Sequence, residues 1–351
     1  MADSIPNPGL IALFGSGEIA PSGRKVYDHI FEKVATSVNV SILETPAGFQ
    51  PNSAIVAGKI KQFLESHLSN YKPVVNQVPL RQIKDSPSSV LKRLMAPVAN
   101  ANVIFLGPGS PTYTARQLKN SFAWDVLKQK HYMGTHIVLA SAATIAMGKH
   151  ALPVYEIYKS GTKLHWTAGL NLLGKYGLNL TFIPHWNNRE GGNELDTSHC
   201  YMGEKRFLQL KSLLESSTTV VGIDEHTALI IDIGSRQCHV LGKGSVTIIH
   251  SEAKSKIFSG GYFSLSELGE PYIPKQGLVR YKSVLPWITK LQTSLPVQPS
   301  KAVLDVCSSR EEARKTGDWG LSDLLRNQLQ YMGWRVDDTK EGAKLIPFRS
   351  P

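Results

Sequence analysis

The sequence predicts an α/β protein with a mostly parallel sheet flanked by helices, an antiparallel β completion and a small C-terminal helical hairpin. Three observations carry that reading. Short apolar runs alternate with helical patterns through the first 150 residues. From about residue 178 to 265, short strand patterns follow one another across Gly-containing turns. The last fifty residues hold two helical patterns, with Gly317 between them and Gly333 at their end.

Leu10–Phe14, Val38–Leu43, Val74–Val78, Val103–Leu106 and Ile137–Ala140 are the first candidate strands. Gly15, Pro46, Pro79 and Gly107 close four of them. Between them, Val26, Ile30 and Val34 share one helical face, as do Val56, Ile60 and Leu64. Strands and helices alternating at this spacing imply right-handed βαβ crossovers.

Leu178–Ile183 is one further strand, and Arg206–Leu214 an amphipathic helix with Phe207, Leu210 and Leu214 on one side. Val220–Ile223, Ala228–Ile233, His239–Leu241, Val246–Ile249 and Tyr262–Leu265 complete the sheet. Residues 1–282 thus form one α/β domain. Pro286, Pro296 and Pro299 mark 283–300 as a linker, and 301–351 is a separate tail whose helices cover Ser309–Lys315 and Leu321–Met332.

The 351 residues are 42% hydrophobic and 19% charged, an ordinary globular balance that excludes fibrous and disordered classes. No apolar run approaches the ~20 residues of a membrane span, and the N-terminal stretch lacks the pattern of a secretion signal. Three cysteines, Cys200, Cys238 and Cys307, are too few for a disulfide framework or zinc site, so a cytoplasmic setting is expected. The net charge is +11, and the tail from Lys301 holds nine basic and eight acidic residues. The excess therefore lies in the body, where it favours an acidic substrate over nucleic acid.

Candidate chemistry collects at strand ends, where open α/β sheets bind ligands. Thr135–Thr144 runs from a strand through Ala140-Ser141-Ala142-Ala143 into a helix. That is the shape of a nucleophile elbow: small neighbours permit a strained turn, and Ser141 sits at a helix N-terminus. The Ala142 N–H is then one oxyanion donor. The bland reading of Ser141 is a helix N-cap. Gly107-Pro-Gly109-Ser110 is a Gly-rich turn whose backbone can come close to a bound atom. Gly109 and Ser110 are the second oxyanion candidates. A phosphate cradle is the alternative, but no Lys follows at Walker spacing.

His185, in Pro184-His-Trp-Asn187-Asn188-Arg189-Glu190-Gly191, follows another strand and is placed to take a serine proton. Gly222-Ile-Asp224-Glu225-His226-Thr227-Ala228 brings carboxylates to a strand junction, where one can orient the imidazole. A capping histidine and a surface acid pair are the competing structural roles.

Taken in order, these four motifs resemble the peptidase S51 family, which includes cyanophycinase and peptidase E and whose fold is similar to class I glutamine amidotransferases. The resemblance covers about residues 8–270, and the Gly222–Ala228 segment is its closest match. It implies Ser141 as nucleophile, His185 as base and Glu225 as the orienting acid. Glu156, fifteen residues past Ser141, lies where peptidase E places its acid and stands as the substitute or as a substrate contact. The chain departs from the family's usual Ser-Ala-Gly-Ala by reading Ser141-Ala-Ala-Thr144, and its His185 loop differs from that of cyanophycinase. Asn187, Asn188, Arg189 and Glu190, with Asp196, His199, Lys205 and Arg206 nearby, are the expected contacts to a small peptide or amide with charged ends.

The tail is similar to the extreme C-terminus of cysteinyl-tRNA synthetases over Arg310-Glu-Glu-Ala-Arg314-Lys315…Asp318-Trp319…Asp323-Leu-Leu-Arg326…Gly333-Trp334…Asp338-Thr339…Gly342. The synthetase signatures H-I-G-H and K-M-S-K-S are absent, so aminoacylation is not implied. Two functions follow as expectations. The first is a serine hydrolase that needs no metal or cofactor. The second is a non-catalytic binding protein on the same fold, contacting tRNA or RNA through the tail. A near-neutral tail weighs against strong phosphate binding. Glutaminase chemistry, a third option, uses cysteine at the elbow.

Overall fold

The computed structural model describes residues 7–272, 283–294, 299–339 and 342–347. Five parallel strands, β1 (Ile11–Phe14), β2 (Asn39–Leu43), β3 (Val74–Val78), β4 (Val103–Leu106) and β5 (His136–Ala140), form the centre. Between and after them run α1 (Arg24–Phe31), α2 (Ser53–His67), α3 (Ser88–Asn100), α4 (Pro111–Leu118), α5 (Phe122–Tyr132), α6 (Ala142–Ala146) and α7 (Val154–Tyr158). A short pair, β6 (His150–Ala151) and β7 (Thr167–Ala168), flanks α7.

Alternate residues of each strand feed different cores. Ala12, Phe14, Val103, Phe105, Val138 and Ala140 pack with the α1 and α2 side chains Val26, Tyr27, Ile60 and Leu64. Ile11, Leu13, Ile104, Leu106, Ile137 and Leu139 pack with the α3 and α5 side chains Leu91, Met95, Val126 and Leu127. Burial on both faces is why β1, β4 and β5 are almost wholly apolar, whereas β3 at the sheet edge carries Asn76 and Gln77 and is partly exposed. On α2 the covered side is Ala57, Ile60, Phe63 and Leu64, and Val56 is only half-buried.

The β completion divides between two sheets instead of extending one. The second half supplies β8 (Leu180–Ile183), α8 (Gly203–Ser212), β9 (Thr219–Ile223), β10 (Thr227–Asp232), β11 (Gln237–Gly242), β12 (Ser245–His250), β13 (Ala253–Phe258) and β14 (Tyr262–Ser264). β10, β11 and β14 add antiparallel to β1, giving the order β14-β11-β10-β1-β5-β4-β2-β3. The other strands form a second sheet, β13-β12-β9-β8, in which β8 and β9 are parallel. β13 has no counterpart in the sequence reading. Its Ala-Lys-Ser-Lys-Ile-Phe is exposed along an edge, and lysines there oppose edge-to-edge pairing while hiding the apolar alternation.

The expected linker contains α9 (Leu285–Ser294). Pro286 lies in its first turn, where a missing N–H costs nothing. Val284 and Ile288 join the main core, and Trp287 meets Phe122 edge-on at 5.1 Å. Pro296 and the 282/283 boundary lie at or beyond the edge of the described residues, as does the start of the N-terminal stretch read for a signal.

The tail is more than a helical hairpin. α10 (Lys301–Lys315) and α11 (Trp319–Tyr331) are followed by a β hairpin, β15 (Trp334–Thr339) and β16 (Gly342–Pro347). Val303, Cys307, Leu329, Trp334 and Val336 form its own small core. The Lys301 N–H donates to the Ala35 carbonyl, and Thr36 bridges Ser300. This attachment precedes β2, at the N-terminal end of the parallel strands. Among the described residues no helix is long and apolar enough to cross a membrane.

Arg310 ties the tail together. Its guanidinium is buried and grips both Asp338 oxygens at 2.8 and 2.9 Å, while Arg314 reaches Asp338 at 2.8 Å. Arg310 holds the Asp338 carboxyl below the usual carboxylate range. Asp338→Ala leaves a buried cation unpaired and is expected to cost the tail about 2–3 kcal/mol. Thermal melts followed at a tail tryptophan check this against an unchanged body transition.

Candidate active site

Ser141 follows β5 with φ 52° and ψ −108°, a backbone conformation costing an ordinary residue roughly 1–3 kcal/mol. Neighbouring bonds hold it there. The Ser141 N–H and the Thr144 hydroxyl both donate to the Phe14 carbonyl at the end of β1, at 3.2 and 3.0 Å. Ala140, Ala142 and Ala143 on either side of it are buried. Ser141 makes no side-chain cap to α6. Its hydroxyl instead lies 2.9 Å from His185 Nε2.

His185, just past β8, also takes a left-handed backbone (φ 51°). Its Nδ1 is 3.0 Å from Glu225 Oε1. A carboxylate only accepts, so Nδ1 carries the proton of the neutral ring and Nε2 is left to accept from Ser141. Glu225 is held in turn by the Asn188 side-chain amide at 3.0 Å, and its backbone N–H donates to Asn187 Oδ1 at 2.7 Å. The hydrogen bond from His185, with a second from Asn188, holds the Glu225 carboxyl below the usual range against partial burial. Asp224, next to it, is turned inward and accepts from the Ser245 backbone and hydroxyl at 2.8 and 2.6 Å.

Gly222 opens the Gly222–Ala228 segment for a reason of space. A Cβ there would stand 2.3 Å from the Trp186 ring. The Trp186 N–H donates to the Ile223 carbonyl at 3.1 Å. The His185 and Glu225 loops are thereby clamped together.

Several expected site residues have other tasks. Asn187 and Asn188 position Glu225 instead of lining the cleft. Arg189 is exposed and does not line it either. Glu156 bonds to Thr112, which is itself bonded to Ser110, and so ties α7 to the start of α4. The Ser110 N–H is spent on the Pro46 carbonyl at 3.0 Å, and its hydroxyl caps α4 through Tyr113. That leaves Ala142, whose N–H starts α6 without an intrahelical acceptor, and Gly109, whose backbone lines the cleft.

The cleft holds about 370 Å³. Besides Ser141, His185 and Glu190, its walls bring in Tyr155, Tyr158, Lys159 and Tyr201, which the sequence reading did not single out. The first three stand at i, i+3 and i+4 on and just after α7, a spacing that marks one helical face. Cys200 also reaches the cleft, but burial pushes its thiol up to about 12. It is a neutral thiol and no nucleophile.

Gly109 has φ +152°, and a Cβ there would lie 1.9 Å from the Pro46 carbonyl oxygen. Gly109→Ala is therefore expected to displace the turn and cost at least about 2 kcal/mol. Chemical denaturation measures the cost, and the reactivity of Ser141 should fall with it.

No family model matches the chain. Its fold is similar to the crystal structure of a peptidase from an acI-B1 Actinobacterium, with a TM-score of 0.59 and 20% identity over 75% of this chain and 100% of that one. At that identity the likeness is one of fold. The C-terminal part is similar to the cysteine–tRNA ligase of Chlamydia pneumoniae, 35% identical over 72 residues, which is 18% of this chain and 15% of that enzyme. A second such ligase, from Methanosarcina mazei, is 46% identical over 43 residues, 12% of this chain and 9% of the enzyme. The chain thus spans 15% or less of the curated relatives it matches.

Proposed function

We propose that the protein is a serine hydrolase of the S51 type that cleaves a peptide or amide bond. The observation that carries this is the unbroken line from Ser141 Oγ through His185 to Glu225, at 2.9 and 3.0 Å. An N-cap serine would turn its hydroxyl to the helix, and a capping histidine has no need of a carboxylate behind it. The Actinobacterium peptidase, with its similar fold, adds support of a coarser kind.

The steps follow from the geometry. Ser141 Oγ attacks the substrate carbonyl carbon while its proton passes to His185 Nε2. Glu225 keeps the imidazole in the required tautomer and stabilises the imidazolium. The Ala142 N–H, with Gly109 as second donor, receives the developing oxyanion. Collapse breaks the C–N bond, His185 returns the proton to the leaving amine, and Ser141 carries the acyl group as an ester. Water, deprotonated by His185, then releases the acid and restores Ser141. No step calls for a metal or an organic cofactor. We place this chemistry in a reducing, cytoplasmic setting, in keeping with three buried cysteines that are all free. The tail joins the body at the end of the strands remote from Ser141, so its contribution is separate from the chemistry.

A fluorophosphonate probe tests this directly. Wild type is expected to be labelled at Ser141 and Ser141→Ala not at all, by intact-mass spectrometry. Unlabelled wild type overturns the proposal. Glu225→Gln keeps the shape but cannot enforce the tautomer, and labelling should slow on the order of 10²- to 10⁴-fold.

A further inference from the structure

The expectation of an acidic substrate rested on the net charge and on the basic residues Arg189, Lys205 and Arg206 near His185, none of which lines the cleft. Arg206 is occupied: its Nε donates to the Met202 carbonyl at 2.6 Å and its Nη2 to the Tyr201 carbonyl at 2.7 Å. Among the cleft's lining residues, Lys159 and Glu190 are a basic and an acidic side chain that offset each other. The excess positive charge is not focused on the cleft.

What the cleft does present beside His185 is an aromatic wall. The Tyr201 ring lies 6.2 Å from the His185 ring, and Tyr158 lies 5.2 Å from Tyr201. Ile145 and Val154 continue the apolar lining. The wall is built at a cost in backbone strain. His199, Cys200 and Tyr201 have φ of 54°, 58° and 68°, a left-handed turn that L-residues disfavour by roughly 1–2 kcal/mol each. Its bonds run to the catalytic loop: the His199 N–H donates to the Trp186 carbonyl at 2.9 Å and the Cys200 N–H to the His185 carbonyl at 3.2 Å. Tyr201 is fixed at its far end by its hydroxyl, which donates to Glu190 at 3.0 Å. Arg206 closes the arrangement, with its guanidinium 5.9 Å from the centre of the Tyr158 ring. Strain held this firmly next to a reacting group points to a purpose beyond packing.

We propose that the substrate group seated beside the scissile bond is apolar and aromatic, and that Tyr158 and Tyr201 select it. This rests on the hydrolase reading of Ser141, His185 and Glu225. A flat ring laid against these tyrosines gains both apolar burial and an offset or edge-on ring contact, whereas a carboxylate there loses its water against apolar walls. Tyr158 is a specificity residue in this scheme and takes no part in proton transfer.

Three fluorophosphonates differing only in the carbon group on phosphorus, methyl, benzyl and carboxymethyl, test this through their second-order rates of Ser141 labelling by intact mass. In wild type the benzyl probe should exceed the carboxymethyl probe by about tenfold or more. Tyr158→Ala should bring the benzyl-to-carboxymethyl ratio of rates down to about one, and Tyr158→Phe, which keeps the ring, should retain the wild-type ratio. A carboxymethyl rate equal to or above the benzyl rate overturns the inference; if Lys159→Ala then slows that probe alone, the substrate is acidic. One common rate for all three probes also overturns it and leaves the hydrolase reading standing. Labelling by none removes the hydrolase reading and this inference with it.

Discussion

The site depends on left-handed backbone held in place by its neighbours. Ser141 and His185 each follow a buried strand and each has positive φ. Alone, neither conformation would persist. The Phe14 carbonyl holds the Ser141 turn from β1, and the Trp186–Ile223 bond fastens the His185 loop to β9. The two sheets therefore meet at this site: β5 of the large sheet leads into Ser141, β8 of the small one into His185, and the Glu225 corner joins β9 of the small sheet to β10 of the large one. Strain stored at these junctions is offset by burial of the strands on both faces.

The same economy explains which polar residues touch the cleft. Four asparagine, arginine and glutamate residues crowd 187–190, yet only Glu190 lines the cavity. Asn187 and Asn188 are consumed in fixing Glu225: Asn188 donates to its half-buried carboxylate, and Asn187 accepts from its backbone N–H. Glu156 is used to join two helices. A loop rich in polar residues is thus a scaffold for one carboxylate more than a set of substrate contacts.

The tail is organised independently. Its core is small, its Arg310–Asp338 pair spans helix and hairpin, and its attachment lies before β2, away from the C-terminal strand ends. The positive charge excess belongs to the body, but not to its cleft. Net charge acts at long range and through solvent, and says little about a cavity lined by a few residues.

The sequence by itself determined the alternating αβ order and the five parallel strands, and it singled out three polar residues at strand ends. These are local signals: apolar runs, helical periodicity, and small residues or glycine where a strand turns into a helix. It also read Ser141, His185 and Glu225 together, through motif order. Only the tertiary structure decided that Glu225 and not Glu156 faces His185, that the Ser110 N–H is spent on Pro46, that the β completion makes two sheets, and that a proline-containing stretch begins a helix. It alone placed Tyr201 beside His185 and Tyr158 beside Tyr201. The reason is that a donor's choice among acceptors some forty residues away depends on where the strands cross, and a residue's own neighbours in sequence do not record that.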